Sequence, residues 1–378
     1  MKQEQALTGI KVFDLTRVLA GPTCTQILGD LGADVMKIEQ PGVGDITRTW
    51  GPPFEKDQEG NDTNESAFYI SCNRNKRSLE LDYTAPEGKN RALQMIADSD
   101  ILVENFKTGT LAKYGLDYES VKKINPRLIY CSITGFGQKG PYARRPGYDF
   151  QIQGMSGLMS LNGEVYGDPM RSGISLADIS TGVYSAVAIL AALYQRTQTG
   201  RGQFIDMSLL DCQVAMLSFA AQSTLLTGEQ PERVGNGHPN IVPYGAFPAQ
   251  DGFVVIAIGT DEQYSKFCSL VNRPELISDP RFQRNKDRVA NRQCMLEIMA
   301  EITSQHSRDY WLKVLDEAGV PCGPVNSISE MLQDPHVQLR QLASQTGEGG
   351  LKTVTSPLRL TDSPVDYSCR PPRLGENN

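Results

Sequence analysis

Asp178 is a residue of this chain whose type and position suit covalent chemistry. It ends the segment Arg171-Ser172-Gly173-Ile174-Ser175-Leu176-Ala177-Asp178 and precedes an alanine-rich stretch, residues 179–194, that is predicted to be a helix. Unpaired N–H groups and the helix dipole favour an ionised carboxylate at such a place. An ionised, oriented carboxylate can act as a nucleophile, yet aspartate is also a common N-cap. The position alone leaves both roles open.

The chain before Asp178 alternates between predicted strands and predicted helices. The strands are at residues 10–15, 34–39, 78–81, 100–104 and 128–134, and the helices are at about 22–31, 86–97 and 118–124. This alternation predicts the α/β class, with a parallel sheet covered by helices on both faces. Ligands of such sheets bind at the carboxyl ends of the strands. We therefore expect the site in loops 16–21, 40–45, 105–109 and 135–148.

The length of 378 residues predicts two domains. The large domain comprises residues 1–200 and is completed by about 335–378. Residues 201–227 are predicted as a linker helix. Residues 228–334 are predicted as a smaller α+β domain, entered through a crossover rich in Gly and Pro.

The composition excludes several classes of protein. Apolar residues at 39% and charged residues at 21% are typical of a globular, soluble protein, and the net charge of −7 argues against a nucleic-acid partner. The first residues do not resemble a signal peptide, and the longest apolar stretch, residues 183–193, is too short to cross a bilayer. We expect a cytoplasmic protein without a membrane partner. The eight cysteines lack metal-ligand spacing, so no metal is predicted.

Familiar catalytic motifs are missing as well. The first-turn glycines, Gly21, Gly29 and Gly32, do not have the G-x-G-x-x-G spacing of a dinucleotide site. The sequence has neither an H-E-x-x-H nor a G-x-S-x-G motif. A set of basic residues does lie in or near the predicted strand-end loops: Lys107, Lys113, Lys139, Arg144 and Arg145. They suit either a phosphorylated ligand or solvated surface charge.

Seven motifs occur in order along nearly the whole chain. They are 12–22 (VFDLTRVLAGP), 32–39 (GADVMKIE), 73–78 (NRNKRS), 103–106 (VENF), 125–130 (NPRLIY), 135–138 (GFGQ) and 145–149 (RPGYD). Together they resemble the class III CoA-transferases, a family that includes formyl-CoA/oxalate and succinyl-CoA:glutarate transferases. The resemblance implies a large Rossmann-like domain, a smaller α+β domain and two chains threaded into an interlocked homodimer.

The same resemblance assigns the catalytic role to Asp178. It implies a carboxylate that attacks the donor acyl-CoA, forms a mixed anhydride and then carries CoA as an aspartyl-CoA thioester until an acceptor acid takes it. Acyl-CoA and a free carboxylic acid are then the substrates, and no cofactor is bound permanently.

Positions that match the CoA contacts of the family follow several strands. They are Leu19, Ala20, Gln40, Leu81, Asp82, Tyr83, Thr84, Asn105, Phe106, Lys107, Lys113 and Lys139. Gln40 stands where formyl-CoA transferases carry arginine, and their glycine run is shortened here to residues 235–240. Residues 47–54 are similar to the glutarate and oxalate transferases. These features favour a small dicarboxylate, such as glutarate or oxalate, as acceptor.

Three further residues are candidates for contact with the substrate. Arg48 and Arg171 suit the distal carboxylate of a dicarboxylic acceptor, although a structural role fits either of them. Tyr148 stands where the related α-methylacyl-CoA racemases carry a catalytic histidine, and tyrosine is a poor base at neutral pH. A racemase and a non-catalytic CoA-binding protein remain the alternatives to a transferase.

Overall fold

In the computed structural model, residues 4–346 and 351–378 are described, and they divide into two compact units. The first unit comprises the described residues up to Leu158, those of Arg171–Leu226 and those of Pro335–Asn378. The second comprises Met159–Met170 and Thr227–Asp334. Residues 201–226 belong to the first unit and include both a strand of its sheet, at Phe204–Ser208, and the helical residues predicted after it.

The elements of the described residues are numbered in chain order. The strands are β1 Lys11–Leu15, β2 Asp34–Glu39, β3 Phe54–Lys56, β4 Asp62–Ser66, β5 Lys76–Glu80, β6 Ile101–Glu104, β7 Ile129–Thr134, β8 Phe204–Ser208, β9 Tyr244–Ala249, β10 Gly252–Ala257, β11 Cys322–Pro324, β12 Ala343–Thr346 and β13 Leu351–Val354. The α-helices are α1 Ala20–Asp30, α2 Ala67–Ser71, α3 Pro86–Ala97, α4 Tyr118–Val121, α5 Asp149–Met155, α6 Leu158–Leu161, α7 Leu176–Thr199, α8 Leu209–Met216, α9 Ser218–Thr227, α10 Asp261–Leu270, α11 Glu275–Ser278, α12 Asn285–Ala290, α13 Arg292–Thr303, α14 Arg308–Glu317, α15 Ile328–Gln333 and α16 Pro335–Leu339.

A six-stranded parallel sheet forms the centre of the first unit. Its strand order is β5-β2-β1-β6-β7-β8, and each neighbouring pair is parallel. The order reverses between β1 and β6, and a crevice for ligands opens outside the carboxyl ends of the strands at such a reversal. The predicted α/β class and parallel sheet are confirmed.

The two faces of this sheet bury different side chains of the same strands. On β1, Val12 packs into a core shared with α1 and α7, whereas Phe13 packs into a core shared with α3. All residues of β6 and β7 are buried. Such fully buried strands are expected where helices cover both faces of a parallel sheet.

Helix α7 is longer than the apolar stretch within it. By length and composition alone, its 24 residues are enough to cross a membrane. Helices α8 and α9 meet the same criterion only when they are taken together as one bent span. One face of α7 is buried, with Ala186 and Ile189 in the core that α1 and the sheet also form. A core helix of a soluble protein passes the same test.

The last residues of the chain cover the edge strand β5. The backbone N–H of Asn377 donates to the Ser78 carbonyl at 2.9 Å, and the Asn377 side chain accepts from the Ser78 N–H at 3.0 Å. The Asn378 side chain accepts from the Glu80 N–H at 2.8 Å. These bonds occupy an edge that would otherwise expose unpaired backbone groups.

The second unit has its own sheet and core. Strands β11, β10 and β9 form an antiparallel sheet in that order. Its core includes Val254, Ile256, Phe267 and Trp311. Strand β9 begins inside the segment predicted as a crossover, because Gly245 and Pro248 obscure the alternation of a strand.

Candidate active site

A cavity of about 220 Å³ lies at the reversal point of the parallel sheet. Its wall is formed by the loops that follow β1, β6 and β7 and by the first turn of α7. The lining residues include Arg17, Leu19, Ala20, Ile46, Trp50, Asn105, Phe106, Lys107, Arg145, Tyr148 and Asp178. Three predicted strand-end loops therefore meet at one place, as the parallel topology requires.

Asp178 is the third residue of α7 and is partly buried in the cavity wall. Burial raises the pKa of Asp178 to about 7, and the negative charge of Asp149 adds to this rise. The position at the helix N-terminus predicts an ionised carboxylate. In the structure the carboxylate of Asp149 accepts from the N–H groups of this turn, so they do not lower the pKa of Asp178.

Helix α7 packs closely against α1 because Gly182 has no side chain. A Cβ atom on Gly182 would lie 2.8 Å from the Ala20 carbonyl oxygen and 2.7 Å from the Thr23 Cβ. Any larger residue would push the two helices apart, because such distances are below van der Waals contact. The close packing places the first turn of α7 beside the loop that leads into α1.

That loop is fixed by buried charges beneath it. The Lys37 ammonium donates to the Thr16 carbonyl at 2.7 Å and to Asp45 at 3.0 Å. Burial would raise the pKa of Asp45, yet the charge of Lys37 holds it below its usual range. The Asp45 carboxylate also accepts from the Val18 N–H at 3.2 Å.

Val18 has a backbone conformation that β-branched residues rarely adopt, with φ at +69°. A side chain in this left-handed region costs about 1–3 kcal/mol. The hydrogen bond to Asp45 offsets part of that cost. On the other side, the Asn105 side chain accepts from the Arg17 N–H at 2.9 Å and donates to the Arg17 carbonyl at 2.7 Å. The strained loop is thus clamped to the loop after β6.

The residues predicted to contact CoA fall into two neighbouring pockets. Leu19, Ala20, Asn105, Phe106 and Lys107 line the cavity with Asp178. Gln40 and Leu81, Asp82, Tyr83 and Thr84 line a second pocket of about 300 Å³.

The two pockets adjoin each other, because the Tyr83 ring packs edge-on against Phe106 with centroids 6.2 Å apart. Lys113 and Lys139 are exposed and line neither pocket.

Arg48 does not line the cavity, and its contacts favour the structural role that the sequence left open. Its guanidinium is buried, donating to Glu39 at 2.6 and 2.9 Å and to Glu65 at 2.6 and 2.7 Å. It also donates to the Tyr69 hydroxyl at 2.6 Å and the Pro372 carbonyl at 3.2 Å. These partners use the donors that a substrate would need.

The other two substrate candidates differ in position. Tyr148 lines the cavity with a largely exposed side chain. Arg171 is exposed outside the lining, with its guanidinium 5.9 Å from the centroid of the Phe150 ring.

Two arginines in the lining were not predicted from the sequence to contact substrate. The Arg17 guanidinium lies 4.9 Å from the centroid of the Phe106 ring, and that of Arg145 lies 4.1 Å from the centroid of the Tyr142 ring. Neither makes an ion pair within the described residues. Arg17 could have been found from the sequence, since it is the second residue after strand β1.

Comparisons with known proteins agree with this arrangement. The sequence is 46% identical over 374 residues to the succinate–glutarate CoA-transferase of Agrobacterium fabrum, covering 98% of this chain and 93% of that protein. It is 40% identical over 380 residues to the succinyl-CoA:glutarate CoA-transferase of Homo sapiens, covering 100% of this chain and 85% of that protein.

A solved structure is similar over the whole length. The crystal structure of a CaiB/BaiF family protein from Brucella suis has a TM-score of 0.90 and 46% identity, covering 99% of this chain and 97% of that one. The sequence model of CoA-transferase family III matches residues 7–378. The chain therefore belongs to CoA-transferase family III and is a transferase that uses CoA thioesters as substrates.

Proposed function

We propose that this enzyme moves CoA from a donor such as succinyl-CoA to a small dicarboxylic acid such as glutarate, with Asp178 as the covalent nucleophile. The observation that carries the proposal is the position of Asp178 in one cavity with five of the predicted CoA contacts. Oxalate is the second acceptor that the sequence favours.

The proposed reaction needs no metal and no net proton transfer. The Asp178 carboxylate attacks the thioester carbonyl, the C–S bond breaks, and a mixed anhydride and CoA thiolate result. The thiolate attacks the Asp178 carbonyl carbon and releases the donor acid, which leaves an aspartyl-CoA thioester. The acceptor carboxylate then displaces CoA, and the returning thiolate attacks the acceptor carbonyl and regenerates the Asp178 carboxylate.

Two features of the cavity support this chemistry. Asp178 has a pKa of about 7 and is therefore both partly ionised and more basic than an exposed aspartate. Helix α1 begins in the cavity wall at Ala20, and no side chain caps its N-terminus. The positive end of the α1 dipole would therefore stabilise oxyanions that form beside it.

CoA would extend across both pockets. The acyl group would lie beside Asp178, and the remainder would pass Phe106 and Tyr83 into the pocket lined by Gln40 and residues 81–84. We expect the exposed Lys107 to approach the phosphates. Lys113 and Lys139 remain candidates only for the outer parts of CoA.

The acceptor's distal carboxylate is assigned to Arg17 and Arg145. Both line the cavity with Asp178, and each guanidinium lies within cation–π distance of an aromatic ring. Arginine binds carboxylates through two parallel hydrogen bonds. They replace Arg48 and Arg171 in this role.

A competition among acceptor acids tests the function. The enzyme is incubated with succinyl-CoA and glutarate, oxalate, malate, itaconate or valerate, and the CoA esters are separated by liquid chromatography with mass detection. Valerate has a methyl group in place of the distal carboxylate of glutarate, so we expect its kcat/KM to be lower by roughly 10–100-fold. Formation of no new thioester would overturn the proposal, and exchange of the α-proton in a 2-methylacyl-CoA would indicate a racemase instead.

Variants of the two arginines extend this experiment. Arg17→Met and Arg145→Met are expected to raise the KM for glutarate by about 10-fold or more and to leave that for valerate unchanged. The KM for succinyl-CoA should rise as well, because its acyl group carries the same distal carboxylate. Arg144→Met is the matched control, since Arg144 is exposed and outside the lining. Weaker binding of free CoA would instead assign these arginines to CoA.

We also propose that two chains form an interlocked homodimer in the cytoplasm. Exposed apolar residues on α7, among them Val183, Val187 and Tyr194, support a partner surface. Light scattering should give twice the chain mass of 41.6 kDa. Tagged and untagged dimers should not exchange chains until they are unfolded, and exchange under native conditions would contradict interlocking.

A further inference from the structure

The first turn of α7 is held by a carboxylate from another helix. Ser175 is the N-cap of α7, but its side chain makes no capping hydrogen bond. Instead, Oδ1 of Asp149, the first residue of α5, accepts from the Ala177 N–H at 2.8 Å and from the Asp178 N–H at 3.4 Å. Asp149 is buried. A side chain 28 residues away thus performs the capping that a local residue usually provides.

A glutamine one turn along α5 completes the contact. The Gln153 amide donates to Oδ2 of Asp149 at 2.7 Å and to the Ile174 carbonyl at 3.3 Å. Its oxygen accepts from the Ser172 N–H at 2.8 Å. Gln153 is buried as well. Helix α5 therefore fixes both the segment that enters α7 and the turn that bears Asp178.

The charge of Asp149 also acts on Asp178. Arg17, Lys107 and Arg145 face the cavity from the loops after β1, β6 and β7, and all three are exposed to solvent. Tyr148 faces it from the residue before α5. Asp149 is different because it is buried against the same turn, where water screens a charge least. After burial itself, its negative charge is the cause that raises the pKa of Asp178.

We propose that Asp149 is a positioning residue that also acts through its charge. It orients Asp178 through the first turn of α7 and disfavours the free Asp178 carboxylate relative to its acylated forms. This inference rests on the proposed function. When Asp178 becomes an anhydride or a thioester it loses its negative charge, and the repulsion from Asp149 disappears. The same fixed charge thus makes Asp178 more basic and favours the covalent intermediates.

The test separates the charge of Asp149 from its hydrogen bonds. Asp149→Asn keeps an oxygen for the Ala177 N–H but removes the charge. We expect the acid limb of the kcat/KM profile, set by Asp178, to move from about pH 7 in the wild type to roughly one pH unit lower in the variant. The aspartyl-CoA adduct should also accumulate less at a given ratio of succinyl-CoA to succinate.

Two further variants control for structure. Gln153→Ala removes hydrogen bonds of the same network but no charge, so we expect a lower kcat and an unmoved acid limb. Asp149→Ser is also neutral, and serine is a good acceptor at helix starts. It provides the same comparison if the Asn variant does not fold, which circular dichroism would reveal.

A second measurement does not depend on turnover. Enzyme labelled with 13C at the aspartate carboxyl carbons is titrated by NMR, and the Asp178 signal is assigned by its loss in Asp178→Asn. The pH at the midpoint of this titration should be lower in Asp149→Asn and Asp149→Ser than in the wild type. In Gln153→Ala it should be unchanged. Unchanged midpoints in both neutral variants would overturn the inference. A wild type that transfers no CoA would overturn the proposed function and leave this titration interpretable.

Discussion

Asp178→Ala is expected to abolish CoA transfer, with a fall in kcat on the order of 10⁴-fold or more, as is typical when a covalent nucleophile is removed. No other carboxylate replaces it, because its closest acidic neighbour, Asp149, is buried and uses its oxygens for the turn of α7 and for Gln153. Mass spectrometry after incubation with succinyl-CoA should detect a CoA adduct on the wild type only. Hydroxylamine should convert that adduct to a hydroxamate at Asp178.

Asp211→Ala is the matched control for this variant. Like Asp178, Asp211 is the third residue of a helix, but its side chain is exposed and outside the cavity lining. We expect wild-type transfer and a normal adduct. Transfer by Asp178→Ala at more than a few per cent of the wild-type rate would exclude the covalent route through this residue.

The variant Asp178→Asn should meanwhile be more stable than the wild type above pH 7. The native pKa of Asp178 is raised from 3.8 to about 7, so the native state binds more protons than the unfolded state between these values. Its stability therefore falls as the pH rises through this window. A neutral asparagine avoids this loss of stability. The difference in free energy of unfolding between variant and wild type should therefore be absent below pH 4 and complete above pH 7. Urea unfolding at several pH values would measure it.

The second large effect concerns folding rather than catalysis. Arg48→Met should lower the free energy of unfolding by about 3–5 kcal/mol, because Glu39 would be left as a buried charge without this cation and Glu65 would lose its buried partner. Burial alone would raise the pKa of Glu39, yet its hydrogen bond to Arg48 and the charge of Lys37 hold it below its usual range. The guanidinium thus keeps a buried carboxylate ionised.

An exposed ion pair offers the comparison for Arg48. Arg77 pairs with Asp34 at 2.6 Å, and both side chains are about half exposed. Arg77→Met should therefore change the free energy of unfolding by less than about 1 kcal/mol. Urea denaturation of both variants at equal protein concentration measures the difference. If Arg48→Met kept wild-type stability and raised only the KM for acceptors, the ionic cluster would not be its role.

The parallel sheet was predictable because its strands carry a strong local signal. Strand β1 and helix α1 lie within two residues of their predicted bounds, and the loop between them holds Leu19 and Ala20 as expected. Parallel strands place their carboxyl ends at one edge, so residues far apart in the sequence could be expected to meet.

Side-chain partners were much harder to predict. Arg48 looked like a ligand for substrate, because its buried partners Glu39 and Glu65 lie 9 and 17 residues away and nothing in the local pattern pairs them. Asp149 was visible in the sequence only as part of a motif, since its role depends on the packing of α5 against α7. The same packing puts the charge of Asp149 beside Asp178 and raises the pKa of Asp178, which the local sequence does not indicate.

The hydrogen bonds made by residues 372–378 also determine when parts of the first unit can be completed during synthesis. Arg48 and Tyr69 both donate to the Pro372 carbonyl, and β5 pairs with Asn377 and Asn378. A ribosome synthesises these partners only after the whole second unit, which lies between them and β5 in the sequence. Strand β5 and the guanidinium of Arg48 therefore lack these hydrogen-bond partners while the second unit is being synthesised. An unpaired edge strand can pair with another chain, so β5 is open to such pairing during that interval.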